Sequence, residues 1–428
     1  MTGQDHSFLE LLDRGKAEVL DASIRYWNPG RTRAWIDAGV PLVIGEREGY
    51  RITDLDGHQL VDLHLNGGTY NLGHRHPEVV GAVRSAMDRF DIGNHHFASV
   101  ARAALAEALV TTAGPGFSKA TFGSCGGEVI DLAIKCARYA TGRRVVVSVH
   151  LGYHGHTGFS VAAAEPQYRD IFHASRPEEF LRVPFDDLAA MEEAVAGHDV
   201  AAVLLETIPA TCGFVMPSPG YLAGVKSLCE RYGAVYIADE VQTGLMRTGS
   251  LWAITKHGVT PDVIVTAKGL SGGVYPMAAV ILSEATAGWM DVDGSAHIAT
   301  FGGAELGCVA ALASLDVTLR SSTAANVAAL TAQFAAGFAA ISADNPGWVA
   351  QIRQDGLVCG LKFAHPTGAK TVMRHLYERG VWAIFSGLDP SVLQVKPGLL
   401  LDAATAAMVL DVLAEACALA AADLVVAA

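Results

Sequence analysis

Residues Ala234 to Gly273 read AVYIADEVQTGLMRTGSLWAITKHGVTPDVIVTAKGLSGG, and this stretch holds two strand patterns. Ala234 to Ala238 is apolar throughout and stops at the acid pair Asp239-Glu240; Asp262 to Thr266 is apolar again at its centre and stops at Ala267-Lys268-Gly269. Short apolar runs that end abruptly in charge read as parallel strands buried on both faces. In open α/β sheets the ligand crevice lies outside the strand carboxyl ends, so Asp239 and Lys268 are expected at the mouth of one sheet. A lysine desolvated among small residues has a lowered amine pKa and can form a Schiff base. An acid one strand away suits a protonated ring nitrogen, and the alternative for the two is a plain buried ion pair.

A lysine and an aspartate in these roles are the protein's share of pyridoxal phosphate (PLP) chemistry. DEVQTGLMRTG, from Asp239, followed by PDVIVTAKGLSGG, from Pro261, closely resembles the centre of the class III (subgroup II) PLP-dependent aminotransferases, a fold type I family. The resemblance implies that Asp239 pairs with the pyridine nitrogen and Lys268 forms the Schiff base with the cofactor. It also implies that Val241 packs on one ring face and that Gln242 lies near the phenolic oxygen.

Other stretches extend the resemblance over most of the chain. FGSCGGEVIDLAIKCAR, Phe122 to Arg138, matches the family's phosphate-binding segment and places Gly126 and Gly127 where a helix starts. Backbone N–H groups at a helix N-terminus make a ready phosphate site. Cys125 and Gly127 stand where hydroxyl residues are usual, so side-chain contacts to the phosphate are expected to be fewer. Gly152-Tyr-His-Gly155 makes Tyr153 the ring that stacks on the cofactor. HIATFGGAELGCVAA, from His297, makes Thr300 the residue that reaches the partner subunit's cofactor phosphate, and so implies a homodimer with active sites at the interface. His74 and His76, in LNGGTYNLGHRHP, belong to a loop of the same family and are expected to make structural hydrogen bonds, with no metal site.

Two departures bear on substrate. Glutamate-using members carry an arginine where this chain has His156, in His154-Gly-His-Thr157, and another where it has Gln394, in Leu393-Gln-Val-Lys-Pro-Gly-Leu399. A charge-assisted hydrogen bond contributes about 1.5–3 kcal/mol, so losing both arginines argues against ordinary glutamate specificity. Lys396, His156 or a swinging Arg247 are substitute anchors to consider. Val200 to Glu206 is a further buried strand ending in an acid, and Glu206, without its arginine, is expected either to receive a substrate ammonium or bind water, or to be neutralised by another residue.

The fold class expected is α/β: a large, mainly parallel sheet domain over residues 61–320, seven-stranded by resemblance. A smaller α/β domain is expected from both chain ends, residues 1–60 and 321–428. Arg51 to Leu55 and Gln59 to Leu63 alternate around Asp56-Gly57 as a hairpin. The implied reaction is ping-pong transamination between an amine, aminoaldehyde, aldehyde or amino acid and a keto acid, with Lys268 as Schiff-base partner and general acid–base. Amino-acid racemases, epimerases and aminomutases of the same family keep the same aspartate and lysine and stand as the alternative; a PLP-fold protein that binds without catalysis is a third reading.

Composition bounds the rest. The 428 residues are 51% hydrophobic with 45 glycines, as in a compact α/β enzyme. With 44 acidic against 31 basic residues the net charge is −13, which argues against nucleic acid or an anionic membrane surface as partner. Seven scattered cysteines without a C-x-x-C pair fit a reducing, cytoplasmic setting. The acidic start MTGQDHSFLELLDRGK lacks a signal-peptide core, and no stretch is expected to be long and apolar enough to cross a membrane.

Overall fold

The computed structural model describes residues 7–426, so the first six residues of the expected N-terminal segment and the last two of the C-terminal one lie outside the described residues. Helices Lys16–Tyr26 and Pro29–Asp37 lead into three antiparallel strands, β1 (Ile44–Glu48), β2 (Arg51–Asp54) and β3 (Gln59–Asp62). The β2–β3 hairpin turns at Asp56-Gly57, where Gly57 has φ +88°, a conformation a side chain would strain.

The central sheet follows: β4 (Phe117–Gly123), β5 (Val145–Val149), β6 (Phe180–Val183), β7 (Val200–Glu206), β8 (Val235–Asp239), β9 (Val263–Thr266) and β10 (Ala278–Ser283). Their spatial order is β4-β10-β9-β8-β7-β5-β6. β10 runs antiparallel to β4 and β9, and the other pairings are parallel. This is the seven-stranded, mainly parallel sheet that the sequence led us to expect.

Alternating residues feed two cores, one on each face of the sheet. Tyr236 and Ala238 of β8 join Val203 and Leu205 of β7 in one; Val235 and Ile237 join Ala202 and Leu204 in the other. Each fully buried aliphatic side chain contributes about 1.5–3 kcal/mol, so strands buried at every residue make a stiff frame. The polar residues that end β7 and β8, Glu206 and Asp239, are thereby held at fixed positions even though both are themselves buried.

The two chain ends share a third core that includes Ile52, Val61, Phe334, Phe338, Leu393 and Leu413. Its strands are β11 (Val349–Asp355), β12 (Val358–Phe363), β13 (Val381–Trp382), β14 (Ile384–Phe385) and β15 (Val392–Val395). β13 pairs in parallel with β3, Val381 opposite Val61, and so stitches the end of the chain to its beginning. The expectation that no stretch is long and apolar enough to cross a membrane needs correction: two alanine-rich helices, Ser321–Asp344 and Ala403–Leu424, reach that length and composition. Both contribute to this third core, through Phe334, Phe338 and Ile341 from the first and Leu410 and Leu413 from the second.

Candidate active site

β7, β8 and β9 end side by side, with Glu206 opposite Asp239 and Asp239 opposite Val265. Lys268 comes three residues after Val265 and opens a short 3-10 turn, Lys268–Ser271, at φ +47°. That left-handed conformation is uncommon for a lysine. The turn is fixed from behind, because the Ser314 hydroxyl donates to the Gly269 carbonyl at 3.0 Å and a Cβ on Gly269 would lie 2.5 Å from Asn71 Nδ2. Burial lowers the Lys268 amine pKa, although the charges of Asp239 and Glu206 oppose the shift.

The acid pair Asp239-Glu240 splits by role. Glu240 turns inward and is saturated: its oxygens accept from Thr207 Oγ1 (2.6 Å), Thr243 Oγ1 (2.9 Å) and the N–H groups of Ala253 (2.9 Å) and Ile254 (2.7 Å). It therefore fastens the loop after β8. Asp239 faces the cavity, with Oδ1 accepting the Val241 N–H at 3.1 Å and Oδ2 lying 2.8 Å from Nδ1 of His154. The carboxylate partner makes Nδ1 the protonated ring nitrogen. Burial alone would depress this imidazole, but the hydrogen bond and charge of Asp239, with the charge of Glu206, raise its pKa.

Glu206 has a different environment. Oε1 accepts the Tyr153 N–H at 2.9 Å and Oε2 the Ala210 N–H at 3.1 Å, and no arginine or lysine pairs with it among the described residues. Burial, together with the charge of Asp239 and against that of His154, pushes its pKa up to about 7.

These groups line one cavity of about 580 Å³, which also takes in Gly126, Gly127, Tyr153, His156, Val241 and Gln242. Lys268 and Gln242 flank the same backbone, since a Cβ on Gly67 would lie 3.1 Å from Lys268 Cε and 3.5 Å from Gln242 Oε1. At the far end helix Gly126–Thr141 opens into the cavity with Cys125 as its N-cap residue. Gly155, at φ +115°, lies so close that a Cβ there would be 2.6 Å from Gly127 Cα. A Cβ on Gly127 would meet Thr157 Oγ1 at 2.9 Å, so a hydroxyl from a different loop stands beside the position whose own hydroxyl is missing.

The structure places the other sequence candidates outside the cavity wall. Gln394 is buried on β15 and donates to the Ala210 carbonyl (2.7 Å) and Ser386 Oγ (3.0 Å). Thr300 is exposed in this chain. Arg247 is 1% exposed and donates to the Pro397 carbonyl and Asn71 Oδ1. His74 accepts a structural role, 2.9 Å from Asp62 Oδ2. Sequence reasoning missed His154 and Thr157 as site residues. Both sit in the quoted stretch around Tyr153, but only the fold shows that one backs Asp239 and the other faces Gly127.

An amine and a carboxylate at neighbouring strand ends, a helix N-terminus opened by two glycines, and an aromatic ring lining the same cavity fit PLP. Asp239 would face the ring nitrogen, Lys268 the reactive carbon, and the N–H groups at Gly126 and Gly127 the phosphate. Sheet and site together define a fold type I PLP enzyme. The family described as aminotransferase class-III matches residues 35–417. An uncharacterized aminotransferase of Archaeoglobus fulgidus is 44% identical over 387 residues, which is 90% of this chain and 91% of that protein. The ornithine aminotransferase of Toxoplasma gondii ME49 superposes with a TM-score of 0.88 at 24% identity, over 99% of this chain and 100% of that one. N-acetylornithine aminotransferase of Stenotrophomonas maltophilia K279a gives 0.78 at 26% identity, over 92% and 100%. The chain belongs to the class III aminotransferases, and it is a PLP-dependent aminotransferase. The racemase, epimerase or aminomutase alternative is not favoured by these relatives.

Proposed function

We propose that this transaminase takes its amino group from an amine, aminoaldehyde or amino acid that needs no α-carboxylate anchor, and passes it to a keto acid. The observation that carries the reading is Glu206: a buried carboxylate beside the reacting groups, met by two main-chain N–H groups and by no arginine among the described residues. Bound PLP supplies an electron sink for the charge that develops on the substrate carbon. The chain's own residues do the rest. Asp239, braced by His154, keeps a counter-charge at the ring nitrogen; Tyr153 limits the ring's movement; Lys268, its amine pKa lowered by burial, takes and returns a proton at the substrate carbon. Glu206 is placed to receive a donor ammonium. Nitrogen transfer from a primary amine to a keto acid, read as aldehyde and amino acid in equal amounts, tests the reading; aldehyde without amino acid, or neither product, contradicts it.

The same proposal includes a homodimer in the cytoplasm. Phe97 (71% exposed) and Phe301 (62%) lie on two loops that Arg102 ties together, through the Phe97 carbonyl at 3.1 Å and the Gly303 carbonyl at 2.9 Å. Ile298, two residues before Thr300, is a further exposed apolar side chain, and exposed apolar side chains of this kind are in keeping with a face for a second copy. All seven cysteines are free thiols, in keeping with a reducing compartment.

A further inference from the structure

The phosphate end of the cavity has main-chain donors and lacks the side chains expected beside them. The N–H groups of Gly126 and Gly127, at the start of helix Gly126–Thr141, have no acceptor among the described residues. Cys125 brings a thiol, a weak donor, and Gly127 brings no side chain. Ser124 and Thr157 are the hydroxyl residues that line the cavity beside this helix start. The Ser124 hydroxyl and N–H both donate to Oε2 of Glu128, at 2.8 and 2.7 Å, which closes a ring within the helix's own first turn.

Thr157 comes from another loop and stands where the side chain of residue 127 would begin: a Cβ on Gly127 would lie 2.9 Å from Thr157 Oγ1. That loop is pressed onto the helix, since a Cβ on Gly155, at φ +115°, would lie 2.6 Å from Gly127 Cα. The Thr157 main chain is fixed, its N–H donating to Oγ of the fully buried Ser160 at 3.0 Å and its carbonyl accepting the Val161 N–H at 2.7 Å. The hydroxyl donates to Asp131 Oδ2 at 2.8 Å, while Asp131 Oδ1 accepts the Ser160 N–H at 2.7 Å. Asp131 therefore keeps a donor when the Thr157 hydroxyl turns away from it, and the turn breaks one solvent-exposed hydrogen bond.

We propose that the Thr157 hydroxyl is a ligand of the cofactor phosphate, turning from Asp131 to donate to it and standing in for the hydroxyls that residues 125 and 127 lack. The inference rests on the placement of the phosphate at Gly126 and Gly127. A phosphate carries a charge of about −1.5 to −2 near neutrality and a carboxylate −1, so the exchange of acceptor favours the phosphate. The hydroxyl that steadies the phosphate thus reaches it from the loop that also carries Tyr153 and His154, and ties that loop to the helix start through the cofactor.

The test titrates full-length apoprotein with PLP and with pyridoxal, which keeps the ring and aldehyde and lacks the phosphate, and reads binding by absorbance. Thr157→Val keeps the shape of the side chain and removes the hydroxyl; it should weaken PLP binding by about tenfold and leave pyridoxal binding unchanged. Thr157→Ser should bind both as the unaltered protein does. The inference is overturned if Thr157→Val loses no affinity for PLP, if it loses affinity for PLP and pyridoxal alike, or if Thr157→Ser loses as much as Thr157→Val. Thr157→Ala carries the same comparison should the valine variant not fold. An unaltered protein that bound pyridoxal as tightly as PLP would instead remove the phosphate placement, and this inference with it.

Discussion

Glu206 and Asp239 are partners in register at the carboxyl ends of neighbouring parallel strands, and the charge of one imidazole, His154, bears on both. The two carboxylates differ in what they accept: Asp239 has the imidazole and one main-chain N–H, Glu206 has main-chain donors alone. Burial, against the main-chain donors, raises the Glu206 carboxyl to about 7 and leaves it able to gain or lose a proton near neutrality.

Glu206 should therefore leave a mark on stability against pH. Its carboxyl titrates near 4.5 in the unfolded chain and at about 7 in the fold, so the folded state holds this proton more tightly. The contribution is fully present below pH 4.5 and is lost as pH rises toward 7, with a slope of up to about 1.4 kcal/mol per pH unit. Urea midpoints of the holoenzyme, measured from pH 4.5 to 8, should fall relative to those of Glu206→Gln as pH rises through this window; parallel curves would count against the assignment.

His154 acts as a positioning residue for Asp239. Replacing it by alanine leaves Asp239 with the Val241 N–H, and the lost charge-assisted bond should weaken cofactor affinity by about tenfold or more. Fluorescence titration of apoprotein with PLP reads this directly. An unchanged dissociation constant would show that Asp239 is held by its strand alone.

Close backbone approach at the phosphate end gives a third prediction. Gly155→Ala puts a Cβ 2.6 Å from Gly127 Cα at φ +115°, which should cost about 1–3 kcal/mol and weaken cofactor binding by displacing the helix start. Gly142→Ala, in open space at the other end of the same helix at φ +68°, should reduce stability without altering PLP affinity. Equal effects on affinity would mean that the phosphate end is not where we place it.

The central sheet was legible because its strands declare themselves: VAAVLLE and AVYIA are apolar to their last residue and then end in charge. The Lys268 and Asp239 positions follow from the same pattern, since a parallel sheet puts strand ends on one edge. His154 and Thr157 were not legible as site residues, because their significance depends on where one loop meets two distant elements: His154 Nδ1 lies 2.8 Å from Asp239 at the end of β8, and a Cβ on Gly127 at the helix start would lie 2.9 Å from Thr157 Oγ1. The membrane-length helices run against the expectation because Ser321–Asp344 and Ala403–Leu424 are alanine-rich runs that the fold keeps helical and packs into a core. Gln394 sits at the residue expected, but its amide is turned to Ala210 and Ser386, an orientation set by β12 and β14 on either side.

A trans contact can be read by complementation. If Thr300 serves the partner's cofactor, Thr300→Ala and Lys268→Ala, each impaired alone, should recover activity when mixed as heterodimers, because one of the two sites then regains both residues. No recovery, in a preparation shown by light scattering to be dimeric, would confine Thr300 to a structural role.

The most direct measurement adds a simple primary amine and, separately, glutamate to the purified holoenzyme and records the absorbance of the bound cofactor. The account predicts that the amine converts it, that a keto acid restores it, and that glutamate leaves it largely unchanged. Full conversion by glutamate would mean that a carboxylate anchor exists at the reacting end, and would contradict the reading of Glu206 on which the account depends.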